Sequence, residues 1–269
     1  MSTVTTAPEA LLSLAGRTAL VTGAGQGVGR EVALTFARHG ADAVVVNDYD
    51  EGRARAVAAE VEALGARALV MATDITDFAA VTEQVEAAVA ELGALHVVVN
   101  NAGNAGPRGA DASFDPFWDT TPDDWQAWLG TNLFGTLNVT RAALPALLAT
   151  GTGSVVNVIS DAGRVGEPHM PVYSAAKAGV AGFSRALAKG TGRLGVRVNA
   201  VSLGSVRTPG VEAMIADPKA VEAMLRQYLI RRLGEPADAA NMILFLASDA
   251  SSWITGQTYP VNGGYSVSF

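Results

Sequence analysis

A chain of 269 residues, 49% hydrophobic and only 17% charged, is long enough for one large α/β domain and apolar enough for a large core. Its net charge of −7 argues against nucleic acid or an anionic membrane surface as the main partner. The lack of cysteine excludes disulfides, thiolate metal sites and cysteine nucleophiles, and three widely spaced histidines give no metal centre.

No apolar run approaches the ~20 residues that span a bilayer, so no membrane role is expected. Met1 to Ala15 lacks the basic start and longer apolar stretch of a secretory signal. It reads as a short extension, residues 1–15, whose Leu11, Leu12 and Leu14 lie against the domain, and the protein reads as cytoplasmic. No low-complexity linker or charge block divides the chain, which predicts a single domain over residues 1–269.

In chain order, β-branched runs alternate with helical patterns. The predicted strands are Thr18–Thr22, Ala43–Asn47, Ala68–Ala72, Val97–Asn100, Ser154–Ile159, Arg197–Val201 and Gln257–Val261. The predicted helices are Val28–His39, Gly52–Leu64, Phe78–Leu92, Trp125–Ala149, Val172–Leu194 and Ala237–Ser248. Runs such as Val44-Val45-Val46 and Val97-Val98-Val99 fit strands buried on both faces, as in a parallel sheet. Gly40, Gly65 and Gly93 follow periodic segments as helix stops. The alternation predicts a doubly wound α/β sheet with ligands beyond the carboxyl ends of its strands. Two segments break the repeat. These are Asn104–Thr121, with Phe114, Phe117 and Trp118, and the 204–230 stretch, with a helical pattern around Val221–Leu229. Both follow strand ends and are candidates to close over a substrate.

Thr22-Gly23-Ala24-Gly25-Gln26-Gly27-Val28-Gly29 lies between the first strand and first helix. A glycine-rich turn is also a common tight connection, but in this setting its backbone can approach a pyrophosphate that the helix N-terminus attracts. Asp48, at the end of the second strand, is either an ordinary turn aspartate or an acceptor for the adenosine ribose hydroxyls that repels a 2′-phosphate. The second reading is favoured and points to NAD(H) over NADP(H). No Arg or Lys stands between Gly23 and Gly29 to pair such a phosphate. Asp74 and Ile75, after the third strand, are placed near the adenine, although Asp74 also fits a turn or N-cap role. Tyr173 and Lys177, four apart on a predicted helix, share a face. The ammonium is expected to lower the phenol's pKa and make Tyr173 a general acid/base.

The ordered set of Thr-Gly-x-x-x-Gly-x-Gly, Asn100-Asn101-Ala102-Gly103, Asn132, Ser160, Tyr173 and Lys177 resembles the short-chain dehydrogenase/reductase family from about Gly16 to Gly264. The resemblance implies a compact single-domain Rossmann-type fold of about seven strands in the order 3-2-1-4-5-6-7. It implies a catalytic tetrad of Asn132, Ser160, Tyr173 and Lys177. It also implies cofactor contacts from Gly23, Gln26, Gly27, Val28, Gly29, Asp48, Asp74, Ile75, Asn101, Ala102, Gly103, Val206 and Thr208, with Tyr173 and Lys177 beside the nicotinamide. A homotetramer, or a homodimer, is implied in the same way. Two positions depart from the family pattern. Leu203 stands where proline is usual, and Asn262 where aspartate is commoner.

The implied activity is hydride exchange between NAD(H) and a secondary alcohol or ketone. The run Ser160-Asp161-Ala162-Gly163-Arg164-Val165-Gly166 is similar to members acting on cyclic or β-hydroxyacyl-CoA compounds, including 2-hydroxycyclohexanecarboxyl-CoA dehydrogenases. The substrate is therefore expected to be alicyclic or acyl-CoA-linked. Phe114, Phe117 and Trp118 either wall an apolar pocket or pack their loop onto the domain. Met214, Leu225 and Tyr228 are lid candidates, and Arg164 and His169 are expected at the cleft rim. The alternatives are an NADP(H)-dependent 3-oxoacyl reductase and a catalytically silent dinucleotide sensor or scaffold.

Overall fold

The computed structural model describes residues 11–104, 106–111, 113–211 and 217–267. Seven parallel strands form one sheet in the order β3-β2-β1-β4-β5-β6-β7. They are β1 (Thr18–Val21), β2 (Ala43–Asp48), β3 (Arg67–Ala72), β4 (Val97–Asn100), β5 (Ser154–Ser160), β6 (Arg197–Leu203) and β7 (Thr258–Val261). The helices are α1 (Gly27–Arg38), α2 (Glu51–Ala63), α3 (Phe78–Leu92), α4 (Pro122–Leu129), α5 (Thr136–Thr150), α6 (Ala162–Val165), α7 (Pro171–Thr191), α8 (Pro218–Leu225) and α9 (Pro236–Ala247).

The valine-rich strands are buried because helices cover both faces. Ala19, Val21, Val44, Val46, Val97 and Val99 pack under α1, α2 and α9. The alternate residues Leu20, Val45 and Val98 pack under α3 and α5. Successive strand side chains point to opposite faces, so unbroken apolar runs are required where both faces are covered. The expected stops at Gly40, Gly65 and Gly93 all adopt positive φ, +80°, +93° and +83°.

Several boundaries differ from the sequence expectation. β5 and β6 extend through Ser160 and Leu203, because these residues remain paired with each other in the ladder. The helix expected over Trp125–Ala149 starts earlier, where a Thr121–Asp124 capping box and Pro122 open α4. It then widens into a π-helical turn at Gly130–Gly135 before α5. The 104–121 segment contains short 3₁₀ turns at Gly106–Asp111 and Phe117–Asp119. The helical pattern around Val221–Leu229 is realised as α8, opened by Asp217, whose carboxylate accepts from Lys219 N (2.9 Å). At the N-terminus, Leu14 is fully buried while Leu11 and Leu12 are exposed.

Candidate active site

The residues expected to cradle a dinucleotide lie at the carboxyl ends of β1, β2 and β4. Thr22 Oγ1 accepts from Asn101 N (3.0 Å) and Ala102 N (3.1 Å), and Asn101 Nδ2 donates to Thr22 O (2.9 Å) and Gly23 O (3.2 Å). These bonds lock the tips of β1 and β4 together. No side chain caps α1, and its first turn carries no acidic residue. Its leading N–H groups are therefore suited to an anion. The turn must be glycine where it is tightest. A Cβ on Gly25 would lie 2.6 Å from both Asp48 Oδ2 and Arg53 Cβ, and one on Gly29 would run into the carbonyl of Gly23. A backbone this bare, ending in an uncapped helix, fits a pyrophosphate.

The structure brings most of the sequence-predicted cofactor residues together. Gly23 abuts Ala102, Gly25 abuts Asp48, and Gly27 faces the Thr208 side chain. Gly103 faces both Asn132 Oδ1 and Lys177 Nζ. Gln26 occupies the N-cap position of α1. Val28 and Val206 are buried. Val206 is held by a bridge to Gly234. Asp74 closes its own turn by accepting from Thr76 N (3.0 Å), and Ile75 packs under Gly135 at the π-helical turn. Leu203, in place of proline, stays in β6, paired with Ser160 on one side and Val261 on the other. The ladder thus supplies the stiffness a proline would have given.

Asp48 is buried and already engaged. Its Oδ2 accepts from Gly25 N (3.1 Å), and its Oδ1 from Asp50 N (3.0 Å) and the Arg53 guanidinium (2.7 Å). Arg53 was missed by sequence reasoning confined to the glycine turn, because it reaches Asp48 from the first turn of α2. Its guanidinium also stands over the Tyr49 ring, 4.8 Å from the centroid.

The tetrad residues converge beyond β5. Ser160 ends that strand, and its hydroxyl acts on the Tyr173 phenol, lowering its pKa. Tyr173 lies in the first turn of α7 with Lys177 one turn later. Lys177 Nζ is 5.7 Å from the Tyr173 ring centroid and donates to Val158 O (3.0 Å). Burial pushes the Lys177 ammonium down to about 8. The phenol departs from the sequence expectation. Burial raises its pKa, and the Ser160 hydroxyl only partly offsets that. The physical reason is that desolvation dominates, while the Lys177 ammonium is directed at a backbone carbonyl. Asn132, fully buried in the π-helical turn, donates to Trp128 O (2.8 Å) and Asn104 O (2.6 Å). Its buried Oδ1 accepts no hydrogen bond from the described residues.

The substrate side is aromatic. Trp128, 6% exposed, meets the Tyr173 ring edge-on at 5.7 Å. Phe114 meets Trp128 edge-on at 5.4 Å, and Phe117 stacks on Trp125 at 5.5 Å. A shallow cleft, partly open to solvent, is lined by Phe117, Trp125, Trp128, Met170, Val172 and Tyr173, with Asp115, Asp124 and His169 among its polar groups. Of the three aromatics singled out in the loop, Phe117 lines the cleft and Phe114 packs behind Trp128. Trp118 is 82% exposed and does not line the cleft. Trp125 and Trp128 read in the sequence only as helix residues, and the fold alone puts them beside Tyr173.

Other rim and lid expectations need correction. Arg164 is not a free rim charge. It donates to Asp161 Oδ1 (3.0 Å) and Ser266 Oγ (2.9 Å). Tyr228 is buried, and its hydroxyl accepts from Ser205 N (2.9 Å) and donates to Ser205 Oγ (3.0 Å), so it anchors the base of the lid segment. Leu225 is half-buried at the end of α8, and Met214 lies outside the described residues.

Residues 23–266 match a family model described as enoyl-(acyl carrier protein) reductase, one branch of the short-chain dehydrogenases and reductases. The chain belongs to the short-chain dehydrogenase/reductase family. It is 40% identical to a cis-4-hydroxycyclohexanecarboxylate dehydrogenase of Sinomonas cyclohexanicum, over 95% of this chain and 98% of that protein. It is 36% identical to a 3-oxoacyl-[acyl-carrier-protein] reductase of Thermotoga maritima, over 94% and 99%. Among solved structures it is similar to a 7α-hydroxysteroid dehydrogenase complexed with NADH and 7-oxoglycochenodeoxycholic acid. The TM-score is 0.88 at 34% identity, covering 96% of this chain and 98% of that one. It is also similar to a gluconate 5-dehydrogenase from Burkholderia cenocepacia in complex with NADP and tartrate. Here the TM-score is 0.89 at 29% identity, with the same coverage. As a member of this family the protein is an NAD(P)-dependent oxidoreductase acting on CH–OH groups. Among the described residues no helix is long and apolar enough to cross a membrane.

Proposed function

We propose that the protein interconverts a secondary alcohol and its ketone with NAD(H), the alcohol being alicyclic or acyl-CoA-linked. The observation that carries this reading is the Ser160 hydroxyl acting on the Tyr173 phenol, with the Tyr173 ring forming part of an aromatic cleft. Bound nicotinamide supplies the two-electron acceptor or donor at its C4. For oxidation, the Tyr173 phenolate takes the alcohol proton, and Ser160 donates a hydrogen bond that orients the substrate oxygen. Lys177, poised near neutrality by its burial, holds the nicotinamide ribose and returns the proton toward Asn132 and solvent. The apolar walls of Trp128, Trp125 and Phe117 suit a ring or acyl chain and exclude water from the reacting oxygen.

The cofactor preference rests on Asp48, whose carboxylate accepts from ribose hydroxyls and opposes a 2′-phosphate. A second reading, an NADP(H)-dependent 3-oxoacyl reductase, is favoured by one observation, the Arg53 guanidinium paired with that carboxylate. Cofactor and substrate sites share one domain. Exposed apolar side chains such as Trp253, 98% exposed, and Leu229, 76%, support a homotetramer or homodimer.

The deciding experiment is an NAD⁺-reduction screen over cyclic alcohols, hydroxysteroids and hydroxyacyl-CoA thioesters. Turnover of an alicyclic or hydroxyacyl alcohol is expected. Folded protein that binds NADH but turns over none of them would support a dinucleotide sensor. Asp48→Ala is expected to weaken NADH binding by about 1–3 kcal/mol, as for loss of a buried charged hydrogen-bonding partner, and to narrow the gap to NADPH. An unchanged ratio of NADH to NADPH dissociation constants would place the selectivity elsewhere.

A further inference from the structure

One buried carboxylate has no part in the reaction described above. Asp161 follows Ser160 directly and is 2% exposed. Its Oδ1 accepts from Ser202 Oγ (2.8 Å) on β6 and from Arg164 (3.0 Å), while its Oδ2 accepts from Asn262 Nδ2 (2.6 Å) just beyond β7. Asn262 Nδ2 also reaches Ser266 O (3.1 Å), and Arg164 reaches Ser266 Oγ (2.9 Å). The backbone N–H of Asp161 donates to Leu203 O (3.0 Å), and its carbonyl accepts from Arg164 N and Val165 N (both 2.8 Å). One side chain therefore ties together the ends of β5, β6 and β7, at the residue next to the hydroxyl that contacts Tyr173.

We propose that Asp161 and Asn262 form a positioning clamp that fixes Ser160 against the Tyr173 phenol. The clamp requires residue 262 to be a donor. Asp161 is acceptor-only when ionised, so an aspartate at 262 would bury two carboxylates against each other. Asparagine supplies the missing N–H. The two departures from the family pattern, Leu203 and Asn262, thereby meet in one structure. The segment without its proline is gripped at Leu203 O by the Asp161 backbone N–H and at Ser202 Oγ by the carboxylate that Asn262 satisfies. This assignment rests on the reading of Ser160 as the group that orients the substrate oxygen.

The test compares wild type, Asn262→Asp and the exchanged pair Asp161→Asn/Asn262→Asp. In the exchanged pair an amide at 161 still accepts from Ser202 and Arg164 and donates to the new carboxylate. Turnover is read with cis-4-hydroxycyclohexanecarboxylate, or with another alcohol if the screen returns one, and NADH affinity is read by fluorescence titration. Asn262→Asp is expected to lower kcat at least about tenfold while NADH affinity stays within about twofold, and the exchanged pair to recover most of the loss. An unchanged kcat in Asn262→Asp, a parallel fall in NADH affinity, or an exchanged pair as slow as the single variant would overturn the clamp. If Asn262→Asp does not fold, Asn262→Ala, which adds no charge, is read by the same two measurements. Failure of the underlying Ser160 reading is separable, since it would appear as full kcat in Ser160→Ala.

Discussion

The proposed cofactor half and the proposed substrate half of this protein reach their geometry by different means. Around β1, β2 and β4 the site is mostly backbone. It consists of a glycine turn too tight for a Cβ, an uncapped helix start, and strand tips tied through Thr22 and Asn101. Around the 104–121 segment, α4 and the start of α7 it is mostly side chains, with Phe117 stacked on Trp125, and Phe114 edge-on to Trp128, which in turn meets Tyr173 edge-on. A backbone site recognises what every dinucleotide shares. A side-chain site can be rebuilt residue by residue while the fold stays fixed. The contrast accounts for one fold being similar both to a hydroxysteroid enzyme crystallised with NADH and to a gluconate enzyme crystallised with NADP.

Variants of decreasing severity sharpen this division. Tyr173→Phe removes the hydroxyl proposed to exchange the proton where the two halves meet. It is expected to lower kcat by about 10²–10⁴-fold while NADH titration is little changed. Near-normal turnover would remove Tyr173 from proton transfer. Ser160→Ala removes the hydroxyl that holds the phenol's pKa down against burial. With the phenolate less stable, the rise in alcohol-oxidation rate with pH is expected to move to higher pH. A kcat/KM profile with an unmoved alkaline limb would contradict this. Sequence reasoning put both residues in one candidate set but expected Lys177 to lower the phenol's pKa. It could not see that the ammonium bonds Val158 O, or that burial outweighs it.

Lys177 also carries a stability signature. Its folded pKa, about 8, is below the ordinary lysine value, so between these values the unfolded chain binds more protons. The penalty for burying the ammonium is full below about 8 and is relieved as pH rises above it. Lys177→Met is therefore expected to flatten the dependence of melting temperature on pH in that alkaline window. An identical slope in wild type and variant would show that the burial cost is met in another way. The smallest effect belongs to the substrate half alone. Phe117→Ala leaves Trp128 against Tyr173 and opens only the outer cleft. KM for the alcohol is expected to rise by about 10-fold or less, an apolar contact's worth of about 1 kcal/mol, with NADH affinity unchanged. A matching loss of NADH affinity would mean that the two halves are not separable in this way.

The sequence by itself determined the strand series and, through its family resemblance, the sheet order, and it proposed the phosphate turn and the Asn132–Ser160–Tyr173–Lys177 set. These are legible because they rest on local periodicity and on motifs whose members stand in fixed order along the chain. Only the tertiary structure decided that Arg53 pairs with Asp48, that Trp128 packs on Tyr173, that Arg164 is committed to Asp161 and Ser266, and that Tyr228 anchors its segment from below. Each of these joins residues from different elements. Asp161 and Asn262, 101 positions apart, are the clearest case. Their partnership follows from the parallel sheet, which brings the carboxyl ends of β5, β6 and β7 to one edge, and no spacing along the chain records it.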